Sequence, residues 1–192
     1  MSLELVNTFA TLGTFLVIAM TAIAAIIQLR HLRSSNQIVA FNELRESFQT
    51  DEFATAARII ATELPKVIDD PAFRYEIQHP ETRTVETHAL LTKVRMVGNF
   101  YESLGILVRT GLVDRDTVLE FWGAILPGAW KRIAPVTAIY RRRQGPAVYE
   151  NFEYITVLAQ EWRAKHRNGT YPPGMRRIEL KDDWLEVDQS NL

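Results

Sequence analysis

The chain contains no cysteine among its 192 residues. Disulfide bonds, zinc sites with thiolate ligands and cysteine nucleophiles are therefore excluded. Cytosolic proteins rarely use disulfides, so this composition is consistent with a chain that faces that compartment.

The signatures of well-known enzyme and cofactor sites are also missing. There is no G-x-x-x-x-G-K phosphate loop, no G-x-G-x-x-G turn, no H-E-x-x-H pair and no G-x-S-x-G elbow. The four histidines, at positions 31, 79, 88 and 166, are not spaced as metal ligands. We therefore predict no metal site and no cofactor. Any catalytic residues would belong to an unfamiliar site, which leaves a membrane-associated enzyme as an open alternative.

Basic residues are absent from the first 29 positions. All 22 Lys and Arg lie at or beyond Arg30, and Glu4 is the only acidic residue before it. Residues 30–192 carry 22 basic and 22 acidic side chains and are neutral overall. Nucleic-acid-binding proteins usually have a basic excess, so we do not expect nucleic acid as a partner.

The N-terminal segment is instead long and apolar. From Leu5 to Leu29, 25 consecutive residues are uncharged, and 18 of them are Ala, Val, Ile, Leu, Met or Phe. A helix of this length reaches about 37 Å, which exceeds a hydrocarbon core of about 30 Å. Because it lacks a polar face, it suits lipid better than the surface of a soluble domain. Within a first segment of residues 1–29, we predict a transmembrane span at about residues 8–28.

Two other interpretations of this segment stay open. One is a cleaved secretion signal, because Ala22-Ile23-Ala24 matches an A-x-A cleavage pattern. A secretion signal would begin with basic residues, which this chain does not have. The other is a buried core helix of a soluble domain.

The charges that flank the span predict its orientation. Arg30, Arg33 and Arg45 all follow it, and basic residues close to a span are retained in the cytoplasm. We therefore predict a single-pass protein of the inner (plasma) membrane. Its N-terminus would be outside, its C-terminal domain would be cytoplasmic, and the lipid bilayer would be a partner through the N-terminal helix.

The rest of the chain shows apolar positions at the spacings of three and four residues that are typical of helices, and no useful strand alternation. We predict an all-α protein in which the transmembrane helix is followed by a cytoplasmic bundle of about four to six helices. The predicted segments are a juxtamembrane helix and a second helix over 30–64, a helical core domain over 82–168 and a polar tail over 169–192.

Local signals predict several boundaries in the first half of this part. A break is expected near Thr50-Asp51, with Asp51 as the cap of the second helix. Pro65 is expected to close that helix, because proline removes a backbone donor. Residues 69–83 contain two prolines and predict a connecting stretch with at most a short turn of helix.

Further signals predict the boundaries in the second half. The best-defined helix begins at Thr84 and ends at Gly111, which suits a left-handed cap. Asp114 opens the next helix, which Pro127 and Pro135 are expected to kink or divide. A last helix follows the Gly-Pro turn at 145–146 and covers residues 147–169.

One face of the helix that begins at Thr84 carries a stripe of polar residues. They follow each other at spacings of three, four or seven, so they share about 60° of the helical wheel. The members of this polar stripe are His88, Arg95, Asn99, Glu102 and Arg109. A solvated face, a partly buried network that joins helices, and a ligand or catalytic site are the three interpretations.

A run of three arginines, Arg141, Arg142 and Arg143, ends the helix before the Gly-Pro turn. Cations at this position complement the helix dipole, which is the structural interpretation. The functional alternative is contact with anionic lipid, because a membrane-tethered domain stays near the inner leaflet.

Three quoted stretches resemble a known family. The span runs into "QLRHLRSSNQ", and "NFYESLGILVRTGLVDRDTVLEFWG" and "YENFEYITVLAQEW" follow. Together they resemble bacterial single-span membrane proteins of the family "domain of unknown function 4760". The resemblance covers most of the chain and implies a short outside end, one anchor and a helical cytoplasmic domain. No activity is established for the family, so it implies no functional residue.

The sequence therefore predicts a membrane-anchored helical module that acts by protein–protein interaction or self-association. Its partner would be an unknown protein or a second copy of the chain. A sensor or effector is an alternative, because the helical pattern continues without proline or glycine from Thr14 to Leu64 and could transmit a conformational state.

Overall fold

The structure is a computed structural model that describes residues 3–190. These residues form eight α-helices and one 3-10 turn, with no strand among them. The predicted all-α class is confirmed. Residues 1, 2, 191 and 192, at the ends of the predicted segments 1–29 and 169–192, lie outside the described residues.

The first helix, α1, runs from Leu3 to Phe48 without interruption. Within it, Asn7–Phe48 is long and apolar enough to cross a membrane, with a mean hydropathy of 2.3 over its most apolar 18 residues. None of those 18 residues is buried against the rest of the chain. The buried-core interpretation of this segment is therefore wrong, because the apolar side chains face away from the folded domain.

The second helix, α2, covers Asp51–Val67. The break before it lies where it was predicted, but the cap is Thr50 and not Asp51, since the Thr50 hydroxyl accepts from the Phe53 amide at 3.2 Å. Pro65 does not close α2, which continues for two more residues. Proline in a last turn removes one hydrogen bond only, and buried Leu64 holds that turn on the core.

A third helix, α3, covers Pro71–Gln78 where a connecting stretch was predicted. That prediction was wrong because Pro71 is the first helical residue, a position that suits proline. Asp70 caps the helix, and its carboxylate accepts from the Ala72 amide at 2.8 Å. Phe73 and Ile77, four residues apart, bury one face of α3, and a 3-10 turn at Pro80–Thr82 follows.

The fourth helix, α4, covers Val85–Arg109, within the bounds that the sequence predicted. Thr84 caps it, and Gly111 follows it with a φ of 70°, a conformation that glycine adopts at little cost. After this turn, Asp114 caps the short helix α5, which covers Arg115–Trp122.

The sixth helix, α6, covers Leu126–Gln144. Pro127 lies in its first turn, so the predicted helix is divided into α5 and α6 just before this proline. Pro135 is inside α6 on the exposed side, where water can reach the carbonyl that loses its donor. Helix α7 covers Glu150–Lys165, and a short α8 at Leu185–Ser190 lies in the predicted polar tail. Trp184 next to α8 is 70% exposed.

One apolar core joins helices α1 to α7. Its buried side chains begin at Leu44 near the end of α1 and end at Ala159 in α7. Helix α4 is central and packs against α2 and α7, while α6 packs against α7 and α3. Residues 44–77 therefore belong to the same packed core as the predicted 82–168 domain.

An aromatic cluster of Phe41, Phe48, Phe100 and Trp122 attaches α1 to the rest of the core. The Phe41 and Phe48 rings lie 5.5 and 5.9 Å from the Trp122 ring, and Phe48 lies 5.7 Å from Phe100. Burial of rings of this size dominates core energetics. The C-terminal end of α1 is therefore part of the domain, whereas its apolar N-terminal part is not.

Candidate functional site: the polar stripe of helix α4

The structure separates the five residues of the polar stripe into two groups. His88 and Asn99 are exposed, and Arg95 donates to the Thr92 hydroxyl on its own helix at 3.0 Å. Glu102 and Arg109 instead meet on one residue of α7, Asn151. The stripe thus faces solvent at His88 and Asn99, is half-buried at Arg95, and is joined to another helix along its C-terminal half.

Glu102 uses both carboxylate oxygens to bind the first turn of α7. Oε2 accepts from the backbone amides of Asn151 and Phe152, at 3.1 and 2.8 Å. Oε1 accepts from the Asn151 side-chain amide at 2.7 Å. The Arg109 Nε donates to the other side of that amide, Asn151 Oδ1, at 2.8 Å. These four bonds form the Glu102–Asn151–Arg109 network.

Helix α7 needs this carboxylate because its own cap residue cannot serve. Tyr149 occupies the cap position in a left-handed conformation, with a φ of 55°, and makes no side-chain cap bond. The first amides of a helix have no partner within the helix, and its N-terminus carries partial positive charge. A carboxylate from another helix satisfies both requirements. Glu102 therefore has the role that an Asp or Ser at the cap position of the helix itself usually has.

Two glycines of α4 allow this close approach. Gly98 and Gly105 lie four residues before and three residues after Glu102, on the same face of the helix. A β-carbon on Gly98 would lie 2.6 Å from the Tyr149 ring, and one on Gly105 would lie 2.5 Å from the Asn151 carbonyl carbon. The start of α7 therefore occupies a groove along α4, with glycine at each end and Glu102 between them.

Sequence reasoning missed Gly98, Gly105, Tyr149 and Asn151. The glycines carried a signal, because glycine within a strongly helical pattern usually has a packing reason. Their separation of seven residues places them on one face, next to Glu102. Nothing in the sequence near Asn151 indicates its partner, which is 49 residues away.

The tyrosines around this groove lie in an apolar environment. Burial raises the pKa of Tyr149 to about 12, and the neighbouring Tyr140 adds to the rise. Burial also raises the pKa of Tyr101 to about 12, and the Tyr101 ring stacks on Phe152 with centroids 4.7 Å apart. These rings pack the start of α7 onto α4 from the apolar side.

We expect alkaline pH to destabilise the domain through these tyrosines. A tyrosine ionises near pH 10 in the unfolded chain, so the contribution of Tyr101 to folding stability is constant below about pH 10. Between about 10 and 12 the folded chain keeps the proton that the unfolded chain loses. For Tyr101 the free energy of unfolding should then fall by about 1.4 kcal/mol per pH unit. Urea unfolding of the full chain in detergent micelles measures this slope.

The Tyr101→Phe variant provides the control for that slope. Because phenylalanine does not ionise, the variant should show a shallower decrease above pH 10 than the parent chain. Equal slopes in the two chains would contradict a role for Tyr101.

The three arginines at the end of α6 have different surroundings. Arg141 is the most buried of them, and its Nε donates to the Val148 carbonyl at 2.9 Å. Its guanidinium also pairs with Glu153 at 2.7 Å and lies 5.8 Å from the centre of the Trp130 ring. Arg143 donates to the Gln78 carbonyl at 2.8 Å, and Arg142 is exposed. Arg141 thus holds the turn between α6 and α7.

We expect Arg141→Ala to reduce the free energy of unfolding by about 1–3 kcal/mol, because it leaves the Val148 carbonyl and Glu153 without their donor. The neighbouring Arg142→Ala is the matched control and should change stability by less than about 0.5 kcal/mol. Urea unfolding of both variants compares them. Equal losses would contradict a specific role for the contacts of Arg141 with Val148 and Glu153.

Among the side chains that the structure describes, no three His, Cys, Asp or Glu residues are close enough to hold a metal ion together. The class of protein that emerges is all-helical. One apolar helix extends from a core in which a carboxylate of one helix caps another.

Comparison with known protein families identifies the family of the chain. The family described as "Domain of unknown function (DUF4760)" matches residues 15–162, and the chain belongs to it. The match includes α4, α1 from Phe15 onward and α7 as far as Trp162. No curated protein and no solved structure matches the chain.

Proposed function

We propose that this protein is a single-pass membrane-anchored module whose helical domain acts in the cytoplasm by binding another protein or a second copy of itself. The observation that carries the proposal is that the two parts of α1 have different surroundings. Its apolar part is not buried, whereas Leu44 and Phe48 at its other end pack into the core. An apolar helix that extends from a folded domain is suited to lipid, since burial in the bilayer removes its side chains from water.

The proposed orientation places the N-terminus outside and the domain inside the inner membrane. It is supported by the arginines at positions 30, 33 and 45 and by the absence of basic residues before them. Single cysteines can test it, because the chain has none of its own. Leu3→Cys and Leu180→Cys make a matched pair, since each leucine is 90% exposed.

In intact spheroplasts of bacteria that express the chain, a membrane-impermeant maleimide should label Leu3→Cys. It should label Leu180→Cys only after the membrane is permeabilised. The reverse pattern would overturn the orientation, and labelling of both variants in intact cells would overturn the anchor itself.

An interaction module is supported over an enzyme by the role of Glu102. This side chain is the one carboxylate of the polar stripe, and it accepts three hydrogen bonds from the start of α7. A group that holds two helices together is poorly placed to exchange protons with a substrate.

Crosslinking in native membranes tests the interaction directly. We expect a covalent adduct that contains this chain and either a second copy or one recurrent protein. The adduct should be lost when membranes are dissolved in detergent before the crosslinker is added. A chain that stays monomeric without neighbours under both conditions would contradict the proposal.

A second candidate function is the transmission of a conformational state across the membrane. It is favoured by the continuity of α1 from Leu3 to Phe48, because a helix without a break can carry a displacement of the span to the core. Hydrogen exchange in vesicles is the test. The amides of residues 30–48 should be protected as strongly as those of α4. Exchange of residues 34–37 at the rate of an unstructured chain would exclude rigid transmission.

A further inference from the structure

The backbone of the turn between α4 and α5 is held by hydrogen bonds to the last turn of α4. The Gly111 amide donates to the Val108 carbonyl at 3.1 Å, and the Leu112 amide donates to the Leu107 carbonyl at 3.0 Å. This pair of bonds around a left-handed glycine is the Schellman arrangement. The residue in the position of Leu112 commonly packs back onto its own helix in this arrangement. Here Leu112 is instead 52% exposed.

This turn lies beside the part of α1 that follows the apolar segment. The Gln37 side-chain amide donates to the Gly111 carbonyl at 3.4 Å. The Arg33 guanidinium is also adjacent, 3.8 Å from where a β-carbon of Gly111 would be. Arg33 is four residues beyond Leu29, the last residue of the uncharged segment. That separation is about 6 Å along the helix axis.

The turn is also the end of α4 that lies nearest to the apolar segment. Eleven residues separate Gln37 from Phe48 on α1, and eleven separate Phe100 from Gly111 on α4. Since Gln37 contacts Gly111 and Phe48 contacts Phe100, the two helices run side by side in opposite directions. The C-terminal end of α4 is therefore nearer to the apolar segment than its N-terminal end. Val85, at the N-terminal end, lies about 36 Å from Arg109 along the helix axis.

We propose that the α4–α5 turn, with Leu112 at its tip, is a second membrane contact that rests in the phospholipid headgroup layer beside the exit of α1. This inference rests on the proposed function, in which α1 spans the bilayer. The headgroup layer extends about 5–7 Å beyond the hydrocarbon core, so its outer edge lies near the level of Arg33, which is about 7.5 Å past residue 28 at the end of the span. An exposed leucine at this depth removes apolar surface from water when it enters the layer.

The chemistry around the turn suits phospholipid. Arg33 lies against it as the basic side chain that can meet a phosphate, since Arg109 donates to Asn151 and Arg115 pairs with Asp116 at 2.8 Å. A basic side chain near an anionic leaflet contributes about 1 kcal/mol to binding. The predicted lipid-binding run Arg141–Arg143 lies elsewhere, since Arg141 contacts Val148 and the adjacent Tyr149 packs on Gly98. Gly98 is 13 residues before Gly111 on α4, which is about 20 Å further from the span.

Fluorescence quenching in vesicles tests the contact with the full-length chain. A single cysteine that carries an environment-sensitive fluorophore is placed at Leu112, at Val85 or at Ile23. Val85 is the matched apolar control at the far end of α4 and is 81% exposed. Ile23 reports whether the span is inserted. The vesicles contain phosphatidylcholine and phosphatidylglycerol, with a quencher attached either to the headgroup or to the middle of the acyl chain.

We expect the headgroup quencher to reduce the fluorescence of Leu112→Cys severalfold more than that of Val85→Cys. The acyl-chain quencher should act mainly on Ile23→Cys. Thr110→Cys in the same turn is a second reporter, in case the label at 112 disturbs folding. Quenching at 23, with equally weak quenching at 110, 112 and 85, would overturn the contact and leave the anchor in place. No quenching at 23 would overturn both the anchor and the contact.

Discussion

The Gly105→Ala variant should destabilise the domain by about 3 kcal/mol or more, because the new methyl group would overlap the backbone of Asn151. A backbone carbonyl at the start of a helix cannot rotate away as a side chain can. Helix α7 would have to move as a unit, and this movement would lengthen the bonds from Glu102 to its first two amides. The helix-propensity gain of alanine over glycine, about 1 kcal/mol, is too small to offset this loss.

Urea unfolding of the full chain in detergent micelles measures the effect. Gly128→Ala is the matched control, since Gly128 is also in a helix and a β-carbon there meets nothing within 4 Å. That variant should be about 0.5–1 kcal/mol more stable than the parent. Gly98→Ala should fall between the two, because it meets the end of the Tyr149 ring, which can shift. If Gly105→Ala were as stable as the parent, α7 could not lie against α4 as described.

The second large effect is expected for Glu102→Gln. Glutamine keeps one acceptor oxygen and replaces the other by an amide group that cannot accept. At least one of the three N–H groups that donate to Glu102 then loses its partner. An unsatisfied donor in a partly buried position costs about 1–3 kcal/mol. The loss of negative charge at the N-terminus of α7 adds about 0.3–1 kcal/mol.

Glu161→Gln, on the exposed surface of α7, is the control for the same substitution and should be nearly neutral. A second variant tests the contact itself. Asn151→Asp places a carboxylate against Oε1 of Glu102, 2.7 Å from the present amide nitrogen, and should be destabilising. In the double variant the side-chain amide introduced at position 102 can donate to the carboxylate introduced at position 151, so part of the loss should be recovered.

The double-mutant cycle therefore predicts a favourable coupling of about 0.5–3 kcal/mol between positions 102 and 151. Additive losses would show that the two side chains do not interact. A solvated polar stripe, the first of the three sequence interpretations, predicts no measurable coupling. The distances support the second interpretation, a network that joins helices, for Glu102 and Arg109 only.

Helix α4 shows how far local signals reach. Thr84 provides the cap, apolar residues follow at spacings of three and four, and Gly111 provides the left-handed end, so both bounds follow from neighbouring residues. The sequence does not predict helix α3, because Pro71 and Pro80 are typical helix breakers, although Pro71 opens the helix. It predicts that the last helix begins at residue 147, because no local pattern indicates the left-handed Tyr149 before α7.

The sequence by itself determined the helical class, the apolar segment and the absence of thiol chemistry. These features depend on composition and on residues within a few positions of each other. Only the tertiary structure decided what the polar stripe does, since Glu102 and Arg109 acquire their role from Asn151, which is 49 and 42 residues away. The groove between Gly98 and Gly105 likewise acquires its role only when the start of α7 packs into it. Hydrogen bonds and close backbone contacts between distant segments depend on how the helices pack, and no local pattern encodes that packing.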